Sequence, residues 1–248
     1  MGGYVRWFVR AFFCVFLAGL LLSHPASAQL AIDKLWIDFE NSAATRGDLL
    51  IANESSDRYY INVDVFEIIN PGTEQEERRT YVDPAELGLL VTPNRVILEP
   101  GQSRSLRVIR LDELQNRDRI YRIRVEPKVG ELSFSGVEEE RSMLIKLLAA
   151  YEVLVTSRPG GARNEIKAVR NGQTLELRNN GNSNVLLFDG HLCAKGKRPD
   201  DSGNHCTKID TRRLYAQNIW TIELEDASQQ FVAKARSAVS RQAEEVVF

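Results

Sequence analysis

Short β-like runs separated by turn residues fill most of this 248-residue chain. Residues 59–69 read YYINVDVFEII, are rich in β-branched and aromatic side chains, and end at the turn signal Asn70-Pro71-Gly72. Residues 120–125, IYRIRV, alternate strictly between apolar and polar side chains. About seven such runs fall within about 130 residues, the spacing typical of an all-β sandwich. The sequence therefore predicts an all-β fold, with no long helical pattern in competition.

A second series of runs follows the segment RPGG at residues 158–161, where proline and glycine end a long strand in the manner of a domain hinge. The tail FVAKARSAVSRQAEEVVF is compatible with a helix or a hairpin, and the β context favours a hairpin over residues 231–239 and 244–248. The charge runs at residues 74–79 and 138–140 are interpreted as solvated loops. The runs of the second series are residues 165–170, 174–179, 184–192, 213–215 and 219–224.

The first 28 residues are typical of a secretory signal peptide. Two arginines precede an apolar run at residues 11–22, and the small residues Ala-Ser-Ala at 26–28 form a cleavage site before Gln29. An uncleaved anchor is the alternative, but the run is short for a membrane span. We therefore expect residues 1–28 to be removed on export, leaving about 220 residues, enough for one large or two small domains.

The charge balance argues against nucleic acid as a partner. Removing residues 1–28 takes away two of the 32 basic residues and none of the 34 acidic ones, which leaves a net charge of −4 with histidine neutral. Nucleic-acid binders are usually basic.

No motif of a common enzyme class is present. The chain has no Gly-x-Ser-x-Gly elbow, no phosphate-binding glycine loop and no His-Glu-x-x-His. No pair of carboxylates is marked out by its spacing for acid–base catalysis. We therefore expect a non-enzymatic protein without a cofactor or a small-molecule substrate.

Two cysteines remain after the signal segment, Cys193 and Cys206. Together with His191 and His205 they match the ligand set of a tetrahedral zinc site. Neighbouring residues in a strand point to opposite faces, however, and export favours oxidation. The prediction is a disulfide closing a short loop, worth about 3 kcal/mol, with a metal site as the alternative.

Residues 140–159, ERSMLIKLLAAYEVLVTSRP, carry more apolar side chains than an ordinary edge strand needs. The even-numbered positions are mostly apolar too. Such a strand is either central, or packed against another domain, or an edge that pairs with a partner by strand addition. The odd-numbered apolar residues are Met143, Ile145, Leu147, Ala149, Tyr151, Val153 and Val155.

Three segments resemble the PapD-like periplasmic chaperones of chaperone–usher pilus assembly. They are VTPNRVILEPGQSRSLRVIRL at residues 91–111, DRIYRIRVEPK at 118–128, and the alternating strand that closes at Arg158-Pro159. RLYAQNIW at 213–220 is similar to the LYPG-x-x-W segment of the second domain, with Ala-Gln where Pro-Gly is common. The resemblance covers the mature chain and is strongest over residues 91–159.

The resemblance implies two immunoglobulin-like β-sandwiches set at an angle, which we divide as residues 29–157 and 158–248. It implies a periplasmic, non-enzymatic chaperone that lends a strand to incomplete pilus or fimbrial subunits, its partners being those subunits and an outer-membrane usher. Counted back from Arg158, the subunit-facing residues are Ile145, Leu147 and Ala149, extended by Met143, while the even face (Leu144, Leu148 and Ala150) packs on the chaperone's own core.

The expected anchor for the C-terminal carboxylate of a client departs from the family pattern. The arginine position of the first strand falls on Trp36, and the lysine position of the last strand falls near Leu154; neither is basic. Lys34 is the nearest cation on the first strand, with Arg122 and Arg124 as further candidates. This chain therefore either anchors its partner differently or has a partner that is not a standard pilin.

Arg107, Asp118 and Arg158 match family positions expected to link the two domains. Two other functions remain open at this point. One is a two-domain surface or adhesion protein without a client, in which Ile145 and Leu147 would be covered. The other is a metal-dependent enzyme built on the two histidines and two cysteines.

Overall fold

The computed structural model describes residues 30–40, 45–111, 116–130, 148–200, 206–237 and 242–248. It contains two immunoglobulin-like β-sandwiches, as predicted, and one short helix, α1 (Pro84–Leu87). The strands of the first sandwich are β1 (Leu30–Ile32), β2 (Trp36–Phe39), β3 (Arg46–Asn53), β4 (Tyr59–Ile69), β5 (Glu77–Arg79), β6 (Leu89–Thr92), β7 (Arg95–Leu98), β8 (Ser103–Arg110), β9 (Arg119–Val129) and β10 (Tyr151–Ser157).

The first sandwich consists of a sheet ordered β1-β3-β8-β6 and a sheet ordered β2-β10-β9-β4-β5, with β7 also paired to β4. The two N-terminal strands belong to different sheets, because β1 pairs with β3 and β2 pairs in parallel with β10. Alternation decides which side chains enter the core. In β9, Tyr121, Ile123 and Val125 are fully buried, while Arg122 and Arg124 face outward.

The second sandwich consists of a sheet ordered β11-β12-β16 and a sheet ordered β14-β13-β17-β18, with β15 paired to β13. Trp220 and Phe231 meet edge to face in its core, with ring centroids 5.4 Å apart. Its strands are β11 (Ile166–Asn171), β12 (Thr174–Asn179), β13 (Val185–Cys193), β14 (Cys206–Ile209), β15 (Arg212–Leu214), β16 (Ile219–Glu223), β17 (Gln230–Ser237) and β18 (Glu244–Val247).

Most predicted runs are strands, and the tail is the predicted hairpin, since β17 and β18 pair antiparallel. The loop prediction for residues 74–79 is wrong in part, because β5 pairs with the end of β4. Within the described residues, no helix is long and apolar enough to cross a membrane. The signal segment and the charge run at 138–140 lie outside the described residues. The division at residue 158 stays a prediction.

Candidate functional site

Among the described residues, β10 covers only part of the edge of β9. β10 pairs with β9 from Tyr151, opposite Val125, to Ser157, opposite Arg119. β9 continues through residues 126–129, which pair with β4 on one side. In the described parts of the chain, no strand pairs with those four residues on the other side.

Of the four apolar residues predicted to contact a client, the structure describes only the last, Ala149. Met143, Ile145 and Leu147 lie outside the described residues, so their assignment stays a prediction. Ala149 is exposed and lies in the irregular segment 148–150, before β10 begins.

The segment 148–150 interrupts the alternation of the strand. Val153 and Val155 are fully buried in the first core, which fixes odd-numbered residues of β10 as the inward ones. Leu148, an even-numbered residue, also packs against that core. Ala150, expected on the inner face with Leu148, is exposed instead. The alternation of inward and outward side chains therefore shifts by one residue between Leu148 and the start of β10.

Trp36, Leu154 and Arg122 form one row on the outer face of this sheet, called here the outer row. Leu154 lies opposite Trp36 on β2 and opposite Arg122 on β9, and directly opposite residues share a face. Trp36 and Leu154, the residues on or near which the sequence resemblance places the family's basic pair, are thus adjacent and carry an indole and an isobutyl group. Trp36 is 65% exposed.

Arg122 is half-buried and makes no hydrogen bond or ion pair among the described residues. Its positive charge acts on the ionisation of Tyr215 in the second sandwich. Burial raises the pKa of Tyr215, and the positive charges of Arg213 and Arg122 oppose that rise.

The other charged candidates near the outer row have partners. Arg124 is 3.4 Å from a carboxylate oxygen of Glu126. The Lys34 ammonium lies 3.0 Å from the Asp33 carboxylate and donates to the carbonyl of Asp48. Lys34 is thus held at the corner of β1 and β3.

Arg158 joins the two sandwiches. Its side chain is 5% exposed, and its Nε and Nη2 donate to the two carboxylate oxygens of Asp38 at 2.7 and 2.6 Å. Its Nη1 donates to the hydroxyl of Ser183 in the second sandwich. Burial by itself lowers the pKa of Arg158, but the bonds to Asp38 outweigh burial and raise it above the ordinary value.

Asp118 lies beside Arg158, with 3.8 Å between carboxylate oxygen and Nη1. Its Oδ2 accepts a hydrogen bond from the backbone N–H of Asn184 at 2.6 Å and another from the Asn184 amide. Burial raises the pKa of Asp118, against the lowering effects of Arg158 and of these hydrogen bonds. The side chain of Asn184 in turn accepts from Arg213.

Arg107 does not join this cluster. It lies directly opposite Asp48 on β3, and its Nε is 3.1 Å from that carboxylate. The expectation that Arg107 links the domains is corrected accordingly: the register of β3 and β8 gives it a cross-strand partner in its own sandwich. Sequence reasoning missed Asp38 and Ser183, although Asp38 alternates with Trp36 on the outward side of β2.

A second contact between the sandwiches lies at the β4–β5 turn. The carbonyl of Pro71 accepts a hydrogen bond from the side-chain amide of Asn218 at 2.7 Å. Gly72 has φ +73°, and a Cβ on it would lie 3.1 Å from the ring of Tyr215. Pro71, Tyr215 and Asn218 border a cavity of about 630 Å³ between the sandwiches, which Asp118 also lines.

Cys193 and Cys206 form a disulfide between directly opposed residues of β13 and β14. In this state neither sulfur is a thiolate ligand for a metal. His191 lies near the carbonyl of Asp189, with 3.0 Å between Nδ1 and the oxygen. His205 lies outside the described residues. The proposed zinc set is therefore not assembled in this part of the chain.

No family model matches the sequence. Two fimbrial proteins of Escherichia coli are similar to most of its length. A fimbrial subunit of CS1 is 27% identical over 209 residues, covering 83% of each chain. A fimbrial subunit of CFA/I is 28% identical over 204 residues, covering 81% of this chain and 80% of that protein.

Solved structures of fimbrial chaperones share the fold. The class 5 fimbriae chaperone CfaA matches with a TM-score of 0.65 and 22% identity, covering 88% of this chain and 97% of that one. The Escherichia coli chaperone DraB matches with a TM-score of 0.57 and 15% identity, covering 88% and 95%. This chain therefore has the two-sandwich fold of the pilus-assembly chaperones. It is divergent from both in sequence, and the resemblance to the PapD-like chaperones seen in its sequence is supported.

Proposed function

We propose that this protein is a periplasmic, non-enzymatic chaperone that binds pilus or fimbrial subunits by lending them a strand and delivers them to an outer-membrane usher. The observation that carries the proposal is the edge of β9 at residues 126–129, with which no strand of the described residues pairs opposite β4, next to a segment of unusual apolar content. Export through a cleaved signal peptide provides the periplasmic location.

A similar fold within a complex supports subunits as partners. One of the matching chains belongs to a chaperone–tip adhesin complex of CFA/I fimbriae, with a TM-score of 0.63 and 21% identity. The match covers 89% of this chain and 98% of that one.

The pairing of β10 with β9 predicts how the strand is lent. Extended backwards in the same register, Ala149 would lie opposite Pro127 and Leu147 opposite Val129. Odd-numbered residues would then continue the inward row of Val153 and Val155, and those before Leu147 would extend past Val129, the last residue of β9. An unfinished sandwich placed along this edge would bury Ile145 and Leu147, each worth about 1.5–3 kcal/mol.

This register requires a change at residues 148–150. Leu148 packs on the chaperone's own core in the structure, whereas the extended strand would turn it outward. Binding of a client would therefore exchange the Leu148 contact for a continuous strand. The cost of that exchange is offset by main-chain hydrogen bonds along residues 126–129 and by the buried odd-numbered side chains.

Arg122 is the cation that we assign to the client's terminal carboxylate. It is half-buried, lies opposite Leu154 on the outer row and has no ion pair with an acidic group among the described residues. A carboxylate there would form a charge-assisted hydrogen bond. Lys34, the cation expected from the sequence, already pairs with Asp33.

Co-expression with a pilin-like protein encoded next to this gene tests the proposal. The double variant Ile145→Asp plus Leu147→Asp should remain folded and exported but lose the co-purifying pilin. The matched control is Val82→Asp plus Ile97→Asp, which alters two exposed apolar residues of the first sandwich and should keep the pilin. Unfolding of the first variant, or retention of its pilin, would contradict the assignment. Failure of the unaltered protein to bind any pilin would favour a client-free surface protein.

A further inference from the structure

Two Asn-Gly pairs occur in the sequence, and both lie in the second sandwich. Asn171 is the last residue of β11 and is followed by Gly172, whereas Asn180-Gly181 comes directly after β12. An asparagine before a glycine is prone to deamidation, because glycine has no side chain to hinder attack of its backbone nitrogen on the asparagine amide. The two pairs are chemically the same, so the fold decides which of them reacts.

Deamidation needs no reagent other than water. The backbone nitrogen of the glycine loses its proton and attacks the side-chain carbonyl carbon of the asparagine. A C–N bond forms, and the amide nitrogen leaves as ammonia, which gives a cyclic succinimide. Water then opens the ring at either carbonyl. Opening at the side-chain carbonyl gives aspartate, and opening at the main-chain carbonyl gives isoaspartate, in which the main chain runs through the side-chain carbons.

The Asn171-Gly172 pair is open to this reaction. Asn171 pairs with Thr174 across a two-residue loop, Gly172 and Gln173, and all three residues from Asn171 to Gln173 are exposed. A Cβ on Gly172 would meet nothing within 4 Å, and its φ of +61° suits a hairpin loop that has glycine first. Neither the N–H of Gly172 nor the side-chain amide of Asn171 has a hydrogen-bond partner among the described residues. The attacking nitrogen and its target are therefore unrestrained.

The Asn180-Gly181 pair is held by its surroundings. Gly181 is buried, and its N–H donates to the side-chain oxygen of Asn179 at 2.9 Å. The N–H of Asn180 donates to the carbonyl of Glu165 at 2.7 Å. A Cβ on Gly181 would collide with the carbonyl oxygen of Arg163, so the backbone has little room to turn. This pair can react only after the chain opens locally.

We propose that Asn171 is a site of spontaneous modification, converted to aspartate and isoaspartate while the fold preserves Asn180. The inference does not depend on the proposed function. Isoaspartate lengthens the main chain by one carbon inside a two-residue loop, so the pair Asn171–Thr174 can no longer close in its present register. β11 is an edge strand with five of its six residues exposed, so few other contacts hold it. The modification therefore loosens β11 from its sheet.

The new negative charge is the smaller part of the effect. Thr174 lies opposite Asn171 on one side and opposite Glu223 on the other, so a carboxylate at position 171 shares a face with Glu223. The two groups are two strands apart, about 10 Å. The Debye length at physiological ionic strength is about 8 Å, so their repulsion is largely screened. The change in the main chain is what alters the hairpin.

Timed incubation of the full chain, followed by peptide mapping, tests the site. Mass spectrometry with electron-transfer fragmentation distinguishes asparagine, aspartate and isoaspartate at each pair. In the folded protein, conversion at Asn171 should be about tenfold or more faster than at Asn180, because Gly181 must first open locally. In urea the two rates should become similar, because both pairs are then unrestrained.

Hydrogen exchange of the aged protein tests the consequence. The amides of residues 166–171 should exchange faster in the isoaspartate fraction than in fresh protein, while those of β9 in the first sandwich stay unchanged. Asn171→Asp carries the charge without the extra main-chain carbon and should exchange like fresh protein. Asn171→Ser should abolish the effect of ageing, and the matched control Asn180→Ser should age like the unaltered chain.

Three outcomes would overturn the inference. The first is equal conversion at the two pairs in the folded protein. The second is no product at Asn171 in the folded protein under conditions in which the urea-unfolded protein reacts. The third is an isoaspartate fraction whose β11 amides exchange as in fresh protein, which would contradict the loosening of the strand. Each result is obtained without a pilin and leaves the proposed function to its own test.

Discussion

Single buried charges hold the junction of the two sandwiches. Arg158 is almost fully buried and neutralises Asp38 directly and Asp118 at longer range. Removing one partner of a buried ionic group leaves the others uncompensated, which typically costs about 3–5 kcal/mol. We therefore expect Arg158→Ala to lower the free energy of unfolding by about that amount in urea titrations. Arg107→Ala, which removes a pair more than half exposed, should cost about 0–1 kcal/mol. Equal losses for the two variants would contradict this account of the junction.

Glu67 makes stability depend on pH. Burial alone would raise its pKa, but hydrogen bonds from Arg119 and Tyr81, each 2.8 Å long, outweigh burial and the pKa lies below its ordinary value. Its ionised form therefore stabilises the fold above the unfolded pKa of about 4.3, and this contribution is lost as pH falls through the lower folded pKa. Glu67→Gln should lower stability at pH 7 and flatten the loss below about pH 4.3. Glu77→Gln, at an exposed carboxylate of β5 that lies 3.7 Å from Nε of Arg79, is the control and should cost less stability at pH 7 than Glu67→Gln.

At the scale of elements, the sequence predicted the bounds of those strands that turn residues flank. β4 and β12 have the predicted bounds because apolar alternation and flanking turn residues specify them locally. β5 and β14 were missed because they are short and polar, and they form only where a longer strand offers an edge. The break at residues 148–150 was also not predictable, since it depends on Leu148 reaching the core. The adjacency of Trp36 and Leu154 follows from a parallel pairing between distant segments, which local patterns of residues do not specify.

The β13–β14 hairpin depends on its disulfide. β14 has few buried side chains, and Cys193 is fully buried opposite Cys206. Closing a loop of this size is worth about 3 kcal/mol in the chain-entropy account. Cys193→Ala plus Cys206→Ala should lower the free energy of unfolding by about that amount, as should reduction of the unaltered protein. If reduction has no effect on the denaturant midpoint, the bond does not stabilise this hairpin.

At the scale of the whole molecule, two separate contacts fix how the sandwiches meet. One is the Arg158 cluster, and the other is the β4–β5 turn resting on Tyr215 and Asn218. Gly72→Ala should loosen the second contact, because its Cβ would press on the Tyr215 ring. Gly101→Ala is the matched control, since Gly101 has a similar φ of +75° but open space around it. Both variants carry backbone strain of about 1–2 kcal/mol.

Electron–electron distance measurements separate the two glycine variants. With spin labels at exposed Val82 and Val169, one on each sandwich, Gly72→Ala should broaden the distance distribution. Gly101→Ala should reproduce the distribution of the unaltered protein. Identical distributions in both variants would show that the Arg158 cluster alone sets the arrangement.

Amide hydrogen exchange at residues 143–149 tests the lending of the strand most directly. These amides should exchange quickly in the free chaperone and become strongly protected in the complex with a pilin, because the lent strand would gain main-chain hydrogen bonds on the pilin side. Protection already present in the free protein, or unchanged rapid exchange in a stable complex, would contradict the account.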